Sequence, residues 1–222
     1  MDKIRAVLFD LDGVLVQSEP LKARAHAETV DRFGGSTPSA LYAEVMGQPH
    51  EAVRAALLVA GGVDADPECY TRTYRRIYRE LLQTELETTS GITDLVQQLA
   101  EKGFSLAVVS SSPAATVTQT LDQTGLAPFF PVRVAADDVK KPKPAPDPYV
   151  RALDLLSVPP ASAVAVEDSE AGVASASGAG MRVLALRHSY NGYQDLSRAY
   201  AVLGVPLDTQ AVVQMIDSLL DP

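Results

Sequence analysis

The sequence predicts an α/β protein: a parallel sheet covered by helices on both faces, with a helical insertion early in the chain. Three observations carry that prediction. Four short runs, Ala6–Phe9, Ser105–Val109, Ala163–Val166 and Arg182–Leu186, are rich in Val, Leu and Ala, as strands buried from both sides require. Helical patterns separate the later three from one another, the alternation of a doubly covered sheet. Between the first run and about Thr89 only helical patterns appear, divided by Gly34-Gly35, Gly47 and Gly61-Gly62.

In chain order, the first strand ends in acids at Asp10 and Asp12, and Gly13 allows a sharp turn after them. Four helical segments follow, Leu21–Phe33, Ser39–Val45, Glu51–Ala60 and Glu68–Leu82. In the last of these Tyr70, Tyr74, Ile77, Tyr78 and Leu81 mark a packing face, while Arg72, Arg75, Arg76 and Arg79 mark another. The arginine face is expected to be solvated, unless the insertion closes over an anionic substrate that one of them reaches. Thr93–Lys102 has helical spacing and Gly103 as its stop. Asp147 followed by Pro148 reads as a helix N-cap with proline in the first turn. Ser177-Gly-Ala-Gly180 turns a helix into the last clear strand, and Thr209–Leu220 is helical in pattern. The expected division is a core of residues 1–16 and 88–222 and a cap of residues 17–87. The connections cross near Val16–Ser18 and Thr88–Gly91.

A length of 222 residues accommodates one large domain or a core with a smaller second unit. The net charge of −9 argues against a protein that holds nucleic acid through its phosphates. A phosphorylated small molecule stays open, because a metal and a few placed cations can offset repulsion locally. Cys69 is the single cysteine, which rules out an internal disulfide and is expected to be a small buried hydrophobe. No apolar stretch is long enough to cross a bilayer, and the N-terminal MDKIRAVLFD runs into acids instead of a cleavage site. A cytoplasmic protein without membrane association is expected, as a monomer or weak homodimer.

The chemistry lies at the strand ends. Side chains at i and i+2 of a strand share a side, so Asp10 and Asp12 face together. Alone, such a pair is as well explained by capping and turn formation. However, Ser105–Val109 ends in Ser110-Ser111-Ser112, Ala163–Val166 ends in Glu167-Asp168-Ser169, and the run KKPKPAPDP carries Lys143. Ligand sites of open parallel sheets form beyond the carboxyl ends of the strands. Four separate loops therefore deliver carboxylates, hydroxyls and a lysine to one edge.

With these motifs the chain resembles the haloacid dehalogenase superfamily, in the branch of β-phosphoglucomutase-like and CbbY-like phosphatases with a helical C1 cap. The motifs stand in order as FDLDGV, LAVVSS, KPAPD and VEDSEAG. The resemblance implies a Rossmann-like parallel-sheet core with an inserted all-helical cap. It implies a Mg²⁺-dependent phosphatase acting on a small phosphorylated metabolite, with a sugar phosphate favoured. In that reading Asp10 is the nucleophile that forms an aspartyl phosphate, and Asp12 is the general acid and base. Mg²⁺ is held by Asp10, Asp168 and the backbone carbonyl of Asp12, with Glu167 acting directly or through water. Lys143 supplies positive charge to Asp10 and the phosphoryl group, and Ser110 binds a phosphate oxygen. Lys22, His50 and Ser111, with Ser112 and the arginine face behind them, are candidates for substrate contact.

β-Phosphoglucomutase has a histidine where this chain has Lys22 and an arginine where it has His50. Gln17 stands where relatives often have aspartate. These departures favour a phosphatase over the alternative of a phosphosugar mutase. A third alternative is a non-catalytic module in which phosphorylation of Asp10 is only a switch. Such modules need neither a large helical insertion nor an acid two residues beyond the nucleophile.

Overall fold

The computed structural model describes residues 5–220. The chain divides into two compact units, one of residues Met1–Val16, Thr88–Arg187 and Asp195–Pro222, the other of Gln17–Glu87 and His188–Gln194.

The first unit is built on strands β1 (Ala6–Phe9), β2 (Ser105–Val109), β3 (Val132–Val134), β4 (Ala163–Glu167), β5 (Arg182–Arg187) and β6 (Ala201–Gly204). They form one six-stranded sheet in the order β3-β2-β1-β4-β5-β6. Every pairing is parallel, with Phe9 opposite Val108 on one side and Val166 on the other. The two strands absent from the sequence reading are the edge strands. β3 has three residues and only Val134 buried, and β6 alternates between half-buried and exposed. β3 is interrupted by Arg133, and β6, although apolar in sequence as AVLG, lacks the burial on both faces that the central strands have.

Alternate residues of the central strands, Ala6, Leu8, Ala107, Val109 and Ala165, pack against the helices α7 (Asp147–Leu156) and α8 (Glu170–Gly178). Their neighbours Val7, Phe9, Val108 and Val166 are equally buried, and Phe9 meets Phe130 edge to face. Helices α5 (Ile92–Glu101) and α9 (Thr209–Leu220) pack on each other, and α9 also packs on β4. Helix α6 (Ala114–Gln123) follows β2. The N-cap of α7 is Pro146, not Asp147, which is already helical. Proline fixes φ near the helical value, so the helix starts one residue earlier than the acid suggests.

The second unit contains α1 (Glu19–Arg32), the short α2 (Tyr42–Val45), α3 (His50–Gly61) and α4 (Pro67–Glu85). Ser39–Leu41, part of the expected helix Ser39–Val45, is a 3₁₀ turn leading into α2. The Asp66 side chain caps α4 by accepting from the Cys69 N–H, with Pro67 at the first position. Cys69 sits in that first turn and is half-buried instead of buried, because it lies off the buried face of α4 formed by Tyr70, Tyr74, Ile77 and Leu81. Gly35 and Gly61 allow close approach where α1 meets the loop after it, since a Cβ there would overlap Val63 or Val30. His188–Gln194 joins this unit, with Gln194 Nε2 donating to the Met46 carbonyl at 2.8 Å.

The tyrosines of α4 enclose His26 of α1. Its Nδ1 lies 2.9 Å from the Tyr70 hydroxyl and its ring stacks on Tyr74 at 4.0 Å. Burial, reinforced by the fields of His50 and Lys22, pushes the His26 imidazole down from its usual 6.5 to about 3. The unfolded chain therefore takes up a proton below pH 6.5 that the folded chain refuses, and stability falls with pH in that window. An expected loss of about 2 kcal/mol between pH 7 and pH 5 is measurable by urea unfolding. His26→Gln is expected to reduce the slope by one proton; an unchanged slope would place the titration elsewhere.

Among the described residues no helix is long and apolar enough to cross a membrane.

Candidate active site

The sheet brings the predicted residues of the first unit to one edge. Asp10 follows β1, and its N–H donates to the Val166 carbonyl at 2.9 Å, extending the β1–β4 ladder by one residue. The chain then folds back tightly. Gly13 adopts φ +79°, and the Gly13 N–H donates to the Val16 carbonyl. Ser110 follows β2 with its N–H on the Val134 carbonyl. Glu167 is the last residue of β4, and Ser169 caps α8 through a bond from the Gly172 N–H.

Lys143, in the loop before α7, joins these strand ends. Its ammonium donates to Asp10 Oδ1 at 2.7 Å, Glu167 Oε1 at 2.6 Å and the Val109 carbonyl at 2.8 Å. An ammonium has three donors, and each one has an acceptor here. The Lys143 side chain is 6% exposed and that of Glu167 0%. The Tyr149 hydroxyl also donates to Glu167 Oε1 at 2.7 Å, and the Lys143 Nζ lies 5.2 Å from the centre of its ring. Burial opposes the Lys143 charge, but Asp10 and Glu167 outweigh it and hold the ammonium above its ordinary range. Burial pushes Asp10 up to about 7; Lys143 opposes this, and the charges of Glu167 and Asp12 add to it.

A second set of bonds orients Asp12. Its Oδ2 accepts from Ser112 Oγ at 2.9 Å, while the Ser112 N–H donates to Ser110 Oγ at 3.0 Å. Ser110 is buried, Asp12 and Ser112 are half-buried and Ser111 is exposed. Lys22 and His50 belong to the second unit. There Lys22 Nζ donates to Glu19 Oε1 at 2.7 Å, Tyr42 donates to Glu19 Oε2, and His50 opens α3.

Carboxylate oxygens of Asp10, Glu167 and Asp168 lie within 4.8 Å of one another, and all three residues are buried. An all-oxygen donor set of this charge fits a hard divalent cation. Such a cation would also offset the carboxylates that, among the described residues, Lys143 faces.

Tyr149 and Gly172 are also part of this arrangement; Gly172 closes the motif VEDSEAG, but the sequence assigns neither residue a role. Tyr149 reads as one more apolar position of α7. Gly172 lies in the first turn of α8, where a Cβ would overlap the Glu167 carboxylate. Gly172→Ala is therefore expected to displace Glu167, at about 1–3 kcal/mol of overpacking, and to lower turnover at least tenfold by loosening Lys143. A variant with unchanged Tm and turnover would show that Glu167 has room to move.

Comparison with known proteins places the chain in a family. A family model for haloacid dehalogenase-like hydrolases matches residues 7–186. The chain is 30% identical over 200 residues to a phosphorylated carbohydrates phosphatase of Thermotoga maritima, covering 90% of this chain and 93% of that protein. It is 32% identical to the pyrophosphatase PpaX of Bacillus pumilus, over 87% of this chain and 88% of that protein. A crystal structure of a CbbY mutant from Rhodobacter sphaeroides in complex with xylulose-(1,5)bisphosphate superposes with a TM-score of 0.76. That protein is 29% identical, and the match covers 91% of this chain and 97% of that one. The chain belongs to the haloacid dehalogenase-like hydrolases, in their branch of phosphatases and β-phosphoglucomutase-like proteins.

Proposed function

We propose that this phosphoric monoester hydrolase is a Mg²⁺-dependent phosphatase of a small phosphorylated metabolite, a sugar phosphate in the first instance. The observation that carries this reading is the three-way clasp of Lys143, which sets Asp10 beside Glu167 and Asp168 at the carboxyl edge of the sheet. Asp10 and Asp168 would hold the cation. Glu167 is engaged with Lys143 and Tyr149 through Oε1, so its share passes through its other oxygen or a water. When bound, the cation supplies charge that lets an anionic phosphate approach a carboxylate.

In the first step an Asp10 carboxylate oxygen bonds to phosphorus as the bond to the leaving oxygen breaks. Lys143 stabilises the charge on the transferring group, and Asp12 gives its proton to the departing alkoxide. In the second step Asp12 takes a proton from water, whose oxygen attacks phosphorus and releases phosphate and the Asp10 carboxylate. The Ser112 hydroxyl keeps Asp12 oriented, and Ser110, with Ser111 beside it, provides donors for the phosphoryl oxygens. In the cap, Lys22 is already balanced by Glu19, which suits it better to a hydroxyl group than to a second phosphate. With His50 it is assigned to substrate contact.

A screen of phosphorylated sugars and of pyrophosphate, with phosphate release measured in Mg²⁺ and in EDTA, tests the proposal. Turnover of a sugar phosphate that stops in EDTA and falls by about 10²–10⁴ in Asp12→Asn is expected. Isomerisation of a sugar phosphate primed by its bisphosphate, faster than phosphate release, would make the protein a mutase. Preferential cleavage of pyrophosphate would move the substrate class.

A further inference from the structure

The arginine face of α4 is not used by the proposed chemistry, and α3 adds to it. Arg72, Arg75, Arg76 and Arg79 of α4 and Arg54 of α3 line one groove of about 720 Å³ within the helical unit. That volume is in the range of small-ligand sites. Glu51 and Glu68 are the acidic residues lining it, so the arginines outnumber them. Arg54 is half-buried, with its Nη1 3.4 Å from the Thr71 hydroxyl. Arg76 lies 3.7 Å from Glu80. Among the described residues no carboxylate stands within ion-pair distance of Arg72, Arg75 or Arg79.

Two physical features mark this groove as more than a solvated face. Arg72, Arg75, Arg76 and Arg79 repeat like charge at i,i+3 and i,i+4, a spacing that destabilises a helix by a few tenths of a kcal/mol per pair. This concentration of positive charge lies on a chain of net charge −9. Arg54 and Arg75 are also close enough to His50 to press its imidazole below its ordinary range, after burial as the first cause and against Glu51. Positive charge is therefore crowded on two helices around one concavity.

We infer that the α3–α4 groove, lined by residues of the second unit, is a binding site for a small polyanion carrying two or more adjacent phosphate groups. Guanidinium forks on two helices match the oxygens of adjacent phosphates bidentately. The four α4 arginines span about 10 Å of helix axis, enough for a chain of a few phosphates and too short for a polymer. The chain's net charge of −9 disfavours a long nucleic acid relative to a short polyanion. Nucleoside polyphosphates and inorganic polyphosphate share the required chemistry.

Calorimetric titration of the full-length protein with inorganic tripolyphosphate in EDTA tests this site. EDTA removes the divalent cation that an anion would need beside Asp10, Glu167 and Asp168. One tripolyphosphate is expected to bind with sub-millimolar affinity, at least tenfold more tightly than orthophosphate. Arg72→Ala/Arg79→Ala is expected to weaken binding at least tenfold, and Arg72→Lys/Arg79→Lys less than that. An NMR titration of the unmodified protein gives a second readout, since His50 is one of three histidines. Bound anion would neutralise Arg54 and Arg75, so the His50 imidazole is expected to titrate at higher pH. The inference fails if tripolyphosphate does not bind at millimolar concentration, or if the arginine variants bind it as the parent does. It also fails if His50 is unmoved at saturation, or if a single-stranded oligonucleotide binds more tightly than tripolyphosphate. ATP and inorganic polyphosphate, titrated in the same way, distinguish the two sources of the ligand.

Discussion

Asp10→Asn is expected to remove phosphatase turnover by on the order of 10⁵-fold or more, the scale on which loss of a covalent nucleophile acts. The substitution conserves shape, and its amide oxygen can still accept from Lys143. The carboxylate oxygen that bonds to phosphorus is lost. The effect on stability is expected to run the other way. Burial first, with Glu167 and Asp12 adding to it, places the Asp10 carboxyl near 7 against the opposing pull of Lys143. A carboxyl raised in this way destabilises the fold as pH climbs through its folded value, because the charged form is then the buried one. In EDTA at pH 8 the Tm of Asp10→Asn should therefore equal or exceed that of the parent. Retained turnover in a homogeneous preparation of the variant would remove Asp10 from the nucleophile's role.

Lys143→Ala is expected to damage both the fold and the chemistry. The ammonium satisfies Asp10, Glu167 and the Val109 carbonyl together from a buried position. Without it the buried carboxyl groups of Asp10 and Glu167 lose the cation that stands between them. Loss of one partner from a buried ion pair costs about 3–5 kcal/mol. For a chain of this length that corresponds to a fall in Tm of about 10 °C. Added Mg²⁺ should recover part of that loss. The chemical rate is expected to fall by about 10²–10³, the range for removing a preorganised electrostatic donor, and to appear in kcat more than in KM. An effect confined to KM, with Tm unchanged, would make Lys143 a surface contact and not the clasp of the site.

The legible part of the fold was the part buried on both faces. β1, β2, β4 and β5 could be read because a strand covered from both sides must be apolar at every position. β3 escaped because it is three residues long and interrupted by Arg133; β6, AVLG, is apolar in sequence, and its half-exposed edge position is set only by the sheet. The start of α7 was misread by one residue. Asp147 has the chemistry of a cap, while the backbone of Pro146 had already entered the helix. The joining of His188–Gln194 to the helical unit depends on contacts such as that of Gln194 with Met46, between residues far apart in the chain.

The candidate site divides in the same way. The sequence by itself determined the charged and hydroxyl-bearing residues at the strand ends, Asp10, Asp12, Ser110, Lys143, Glu167 and Asp168. Residue type and position relative to an apolar run are local properties. Only the tertiary structure decided which of them bond to one another. It assigned the three donors of Lys143, gave Asp12 to Ser112, brought in Tyr149, which resembles an ordinary packing position until the helices dock, and set Gly172 of the VEDSEAG motif against the Glu167 carboxylate. It also added Arg54 of α3 to the arginines of α4. The physical reason is that hydrogen bonding and charge crowding act over a few ångströms in space, across separations of up to 133 residues in the case of Lys143 and Asp10, whereas hydrophobic periodicity acts along the chain.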